Sequence, residues 1–113
     1  MTHDPLLVAR AAALHDLSAR RLADAAAVSV LEQAVSRRRW WLAQWAEGAA
    51  FVGGLVAQDV QDTLFDQGVR WPRCTACKQI AEHSLSLEPA LDPAPRWVCS
   101  EAGIDVAPLG RLH

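Results

Sequence analysis

Three cysteines and one histidine in the last third of the chain have the types and spacing of a metal site. Cys74 and Cys77 are separated by two residues, so one tight turn can direct both thiolates at the same ion. His83 and Cys99 would supply the second half and complete a Cys3His set. Four protein ligands leave no coordination position for water, so the set predicts a structural zinc, one per chain, and no catalysis.

Several residues of the sequence could supply the fourth ligand. His83 is favoured because the five residues that separate it from Cys77 let the chain loop back onto the metal. The alternatives left open are His113, His15, Glu82 and Glu101. A redox-active Cys-x-x-Cys is the other interpretation of the first pair, but such motifs usually join a strand to a helix, and no such setting surrounds it.

Motifs of other chemistry are missing from the sequence. It contains no glycine-rich phosphate loop, no nucleophile elbow, and no His-x-Glu of the kind that zinc deaminases place before their cysteines. The net charge is −2, which disfavours a general polyanion binder. We therefore expect a protein that is not an enzyme.

The elements that would position these residues fall into two regions, with a boundary between residues 68 and 69. Residues 1–68 are predicted to be helical, with helices at about 5–47 and 49–67. Asp4 suits an N-cap, Pro5 a first helical position, and Gly68 the residue just after a helix. The second helix carries an apolar stripe at Val52, Val56, Val60 and Leu64.

The first predicted helix has an irregular apolar pattern. Arg21, Asp24 and Arg38 occupy positions where a sustained seven-residue repeat needs apolar side chains, which argues against a long coiled coil. A kinked or interrupted helix fits better. Ser29 and Glu32 have the spacing of a capping box, which predicts a possible new helix start there.

Residues 69–113 contain frequent prolines and short alternating segments. Strands are predicted at residues 84–88, 96–99 and 104–107. With cysteines at the turns, residues 71–110 resemble a zinc ribbon, which implies three antiparallel strands stabilised by the metal. Ala102 stands where a ribbon has its last cysteine. Trp71 and Trp97 are expected to pack around the metal.

Two further resemblances point to transcription. The letters LSARRLADAAAVS at residues 17–29 resemble a helix-turn-helix core, in which Ala27 would be the turn position and residues 17–36 the motif. A helical arm before Cys74-x-x-Cys77 is also similar to regulators that bind RNA polymerase with a helical hairpin and a four-cysteine finger. These resemblances imply a DNA-binding or polymerase-associated regulator, kept as the alternative function.

The run Arg37-Arg38-Arg39-Trp40-Trp41 also permits contact with nucleic acid. Three consecutive arginines on a helix spread over roughly 200°, however, and do not form one patch. We expect Trp41 to belong to the core and Trp40 to be exposed.

The predicted fold is thus α+β: an N-terminal helical pair followed by a small three-stranded antiparallel module like a zinc ribbon. No signal peptide or membrane span is recognisable, and cysteines spaced for metal indicate a reducing compartment, so we expect a cytoplasmic protein. The favoured function is a zinc-binding interaction protein whose helical region binds a protein partner or itself. Nucleic acid is not favoured, and no membrane partner is expected.

Overall fold

The computed structural model describes residues 4–113 and confirms the α+β class. Three helices precede a three-stranded antiparallel sheet. The helices are α1 (Pro5–Ala19), α2 (Ala25–Gln44) and α3 (Val52–Asp66), with a 3-10 helix at Ala46–Phe51, and the strands are β1 (Ser86–Glu88), β2 (Arg96–Cys99) and β3 (Ile104–Pro108). No helix in the described part of the chain is long and apolar enough to cross a membrane.

The helix predicted at about residues 5–47 is two helices, so the helical region has three helices instead of a pair. The interruption indicated by the apolar pattern is present, at residues 20–24. α1 ends at Ala19, where Arg21 adopts a left-handed backbone with φ of 59°. The amide of Leu22 donates to the carbonyl of Leu17 at 2.9 Å, and the amide of Arg21 to that of Ser18 at 3.0 Å. These two bonds form a Schellman motif, which terminates the helix without glycine.

The second helix starts at Asp24 and not at the predicted capping box. The Asp24 side chain accepts a hydrogen bond from the amide of Ala27 at 2.8 Å, which satisfies a free N–H of the first turn. Ser29 and Glu32 lie inside α2. The predicted helix-turn-helix register is wrong for the same reason, because Ala27 is helical and the turn lies at residues 20–24.

The break between α2 and α3 is close to its predicted place. Gly48 lies within the 3-10 helix, and a Cβ there would be 2.4 Å from the ring of Trp41, so a larger residue would displace that ring. The predicted stripe of α3 is buried along its whole length. At the end of α3, Gly68 has φ of +83°, and the amide of Val69 donates to the carbonyl of Leu64, as expected for the residue after a helix.

The sheet has the order β1-β2-β3. Leu87 pairs with Trp97, and Trp97 pairs with Ala107, so these three side chains lie side by side and all are buried. They join the buried residues of the three helices in one continuous core. The sheet therefore packs on the helical region and shares its apolar interior.

Candidate metal centre

The side chains of Cys74, Cys77, His83 and Cys99 come together at one end of the sheet, where β2 finishes. Each offers one ligand atom, and these atoms lie within 4.8 Å of one another. The two sulfurs of the Cys-x-x-Cys pair are 3.8 Å apart, and Nε2 of His83 is 3.4 Å from the sulfur of Cys77 and 3.5 Å from that of Cys99. All three thiols are free. This group could hold one metal ion.

A short hairpin brings three of these residues together. The amide of Cys74 donates to the carbonyl of His83 at 2.8 Å, and Arg73 and Ser84 form an antiparallel bridge beside them. Cys74 and His83 are therefore neighbours at the base of the hairpin, although they are nine positions apart in the sequence. Cys99 reaches the same point from the end of β2.

The ring of His83 is oriented by a backbone group. Its Nδ1 lies 3.0 Å from the carbonyl oxygen of Ala81, so an Nδ1–H donates there and Nε2 faces the three sulfurs. This hydrogen bond, helped by the nearby Cys74 and Glu101 side chains, raises the pKa of His83 against the opposing effect of burial. The carbonyl thus fixes the tautomer that a metal ligand needs.

The local backbone also acts on the thiols. A hydrogen bond from the backbone of Gln79 lowers the pKa of Cys77, but burial and the neighbouring thiols outweigh it and the net direction is upward. Burial raises the pKa of Cys99, but backbone hydrogen bonds from Ala102 and Glu101, together with the other thiols, outweigh it and the net direction is downward. Ala102 stands where a zinc ribbon has its last cysteine. Its backbone amide still acts on the cluster, by lowering the pKa of Cys99.

The other candidates for the fourth ligand lie outside the cluster. Nδ1 of His15 is 2.8 Å from the carboxylate of Asp16, and Glu82 pairs with Arg73 at 3.4 Å. Neither Glu101 nor His113 belongs to the group of ligand atoms.

The tryptophans next to the cluster connect it to the helices. Trp71 and Trp97 are fully buried and meet edge to face, with ring centroids 5.4 Å apart. Nε1 of Trp97 donates to the carboxylate of Asp16 at 2.8 Å, and Nε1 of Trp71 donates to the Asp16 backbone carbonyl at 3.2 Å. Asp16 was not predicted as a functional or structural residue from the sequence. The sequence signal that could have identified it is its position, because Asp16 lies on the same face of α1 as the buried Ala13 and Leu17.

The arginine run lies at a second feature, an open groove of about 530 Å³ between α2 and α3. Arg38 forms two hydrogen bonds to Asp59 at 2.7 and 2.9 Å, and its guanidinium lies 5.2 Å from the ring centre of Trp41. Arg39 turns away from the groove towards Asp4, at 3.3 Å. Two of the three arginines are therefore already paired within the chain.

A family model described as a domain of unknown function (DUF8819) matches residues 2–109. No curated protein and no solved structure matches the chain.

Proposed function

The chain belongs to the family described as a domain of unknown function (DUF8819), and we propose that it is a small, non-enzymatic zinc protein that binds a protein partner through its helices. In this proposal the zinc stabilises the C-terminal module, and the groove between α2 and α3 provides the contact surface. The spacing of the four ligand atoms is the observation that carries the metal part.

The interatomic distances support zinc. Two sulfurs that are each about 2.3 Å from a tetrahedral zinc lie about 3.8 Å apart, and a sulfur and an imidazole nitrogen on the same ion lie about 3.6 Å apart. The cluster has 3.8 Å between the sulfurs of Cys74 and Cys77, and 3.4 and 3.5 Å from sulfur to the nitrogen of His83. Thiolate and imidazole are also the ligands that zinc prefers.

A structural role for the ion follows from the ligand set. Four protein ligands leave no open position at which water or substrate could be activated. The residues of this chain act by holding the hairpin at residues 73–84 against the end of β2, through Cys99. Three free thiols at this spacing also fit a reducing compartment such as the cytoplasm.

The groove supports the interaction part of the proposal. Trp40 lines it and is 70% exposed, which is unusual for the largest apolar side chain. Tryptophan and arginine are enriched among the residues that dominate protein interfaces. DNA binding has less support, because Arg38 and Arg39 already pair with carboxylates of the chain.

Elemental analysis combined with native mass spectrometry tests the metal part. We expect one zinc per chain, lost in Cys74→Ser and in His83→Ala. The matched control is His15→Ala, which removes a histidine outside the cluster and should retain the metal. A chain that is fully folded without any metal would overturn this part of the proposal.

Titration with duplex DNA at low and high salt separates the favoured function from the alternative. We expect no binding that weakens steeply with salt, since such a slope reports arginine and lysine contacts with phosphate. Salt-sensitive binding that is lost in Arg37→Ala would instead favour the DNA-binding regulator.

A further inference from the structure

The groove between α2 and α3 has a half-buried floor and an exposed rim. The floor is the Arg38–Asp59 ion pair with the ring of Trp41 stacked near it, both half-buried. Trp41 also meets Trp45 edge to face, with ring centroids 5.1 Å apart. The rim carries Trp40, which extends into solvent.

The rim also carries one unpaired charge of each sign. Within residues 4–113, no opposite charge lies within 4.0 Å of Arg37 on α2 or of Asp62 on α3. Burial and the carboxylates of Asp59 and Asp66 raise the pKa of Asp62, so its negative charge lacks local compensation. A positively charged side chain of a partner would compensate the charge of Asp62.

The sign of the charge differs between the two sides of the groove. The α3 side of the groove presents Asp59 and Asp62, and the α2 side presents Arg37 and Arg38. Arg38 and Asp59 already pair with each other, so among the described residues that line the groove the charges left free are Arg37 on one side and Asp62 on the other. A uniformly basic or uniformly acidic partner would leave one side unpaired. A two-fold interface requires a patch that is complementary to itself, and a free Arg37 facing a free Asp62 across the groove meets that requirement.

We infer that this groove binds the same groove of a second copy of the chain, in a two-fold dimer. Trp40 of each subunit packs into the groove of the other, and Arg37 faces Asp62 of the partner subunit. The inference rests on the proposed function, since it names the partner that the helical surface takes.

Sedimentation equilibrium of the zinc-loaded protein at low salt tests the dimer. We expect a reversible monomer–dimer equilibrium whose dissociation constant rises at least about tenfold in Trp40→Ala, the loss typical of a buried aromatic anchor. The control is Leu91→Ala, which removes another exposed apolar side chain, 62% accessible, that does not line the groove. It should leave the equilibrium unchanged.

Charge reversal tests the pairing of the two helices. Arg37→Asp and Asp62→Arg should each weaken the dimer, and the double variant should restore it, because the pair is then reformed with opposite polarity. Raising the salt concentration should weaken the wild-type dimer through screening of these exposed charges.

The outcomes distinguish this inference from the proposal on which it rests. A monomer at all concentrations, or a dimer that tolerates Trp40→Ala, overturns the second-copy inference while zinc content stays as proposed. A monomer whose groove captures a different protein, with loss in Trp40→Ala, also overturns the inference but preserves the interaction function. Zinc analysis of the same samples reports separately on the metal.

Discussion

Asp16 is the residue at which three distant parts of the chain meet. Its side chain is fully buried and accepts hydrogen bonds from Nε1 of Trp97 at 2.8 Å, from the amide of Gly110 at 2.7 Å and from the amide of Leu112 at 3.0 Å. Nδ1 of His15 lies 2.8 Å from it. A carboxylate with its lone pairs occupied in this way can be buried, because the protein donors replace the lost water.

Replacing this carboxylate with an amide should be costly despite the similar shape. In Asp16→Asn one oxygen becomes an NH2 group, and either orientation turns that group towards a buried N–H donor. We expect the free energy of unfolding to fall by about 2–4 kcal/mol, from unsatisfied donors and lost charge-assisted bonds. Chemical denaturation of the zinc-loaded protein measures this change.

The exposed partner of Asp16 provides the matched control. The side chain of His15 is 52% exposed, so His15→Ala removes a contact that water can replace and should cost less than about 1 kcal/mol. If Asp16→Asn and His15→Ala were equally mild, Asp16 would not be the junction that the hydrogen bonds indicate.

The candidate metal ligands and Asp16 differ in how far sequence could predict them. Cys74-x-x-Cys77 has a local signature, because two thiolates on one turn have few other uses, and the structure places His83 and Cys99 beside them. Asp16 and Trp97 are separated by 81 positions and carry no such signature. Their contact depends on how the sheet docks on α1, which local patterns do not encode.

At the scale of the elements, α1 and α3 end with the same hydrogen bonds but different residues. Gly68 occupies the left-handed position after α3, and glycine adopts it readily, so this end was predictable. Arg21 occupies the corresponding position after α1, with φ of 59°. Arg21 and Asp24 interrupt the apolar pattern and so indicated a break, but a non-glycine residue does not mark a left-handed turn, and the alanine-rich segment that follows favours helix. The sequence therefore predicted a kinked or interrupted helix and did not locate the turn at residues 20–24.

The start of α2 gives a test of that turn. Asp24→Ala removes the side chain that accepts from the amide of Ala27, and we expect it to lower the free energy of unfolding by about 1 kcal/mol. Ser29→Ala is the matched control, since Ser29 lies inside the helix and caps nothing, and it should change stability by less than about 0.5 kcal/mol. A larger loss in Ser29→Ala would place the helix start at the capping box instead. Thermal or urea unfolding followed by circular dichroism distinguishes the two.

At the scale of the whole molecule, the C-terminal module and the helices form one packed unit. The sheet has strands of only three to five residues, too short to be stable without support. Support comes from the helices through Trp71, Trp97 and Asp16, and from the C-terminal end, where Arg20 donates to the carbonyl of His113 at 3.0 Å. The predicted boundary between residues 68 and 69 marks a change in sequence pattern. The apolar core nevertheless runs continuously across it.

Removal of the metal should therefore also lower the stability of the helices. Cys99, a proposed ligand, lies two residues after Trp97 on β2, and Trp97 bonds to α1. We expect a chelator to lower the unfolding midpoint of a single transition in which far-UV dichroism of the helices and near-UV dichroism of the tryptophans shift together. The stabilisation lost is about 2.7 kcal/mol when free zinc is at a hundredfold excess over its dissociation constant. Cys74→Ser should already have the lower midpoint and should not respond to the chelator. Two separate transitions, with the helical one unchanged by chelation, would show instead that the metal stabilises the C-terminal module alone.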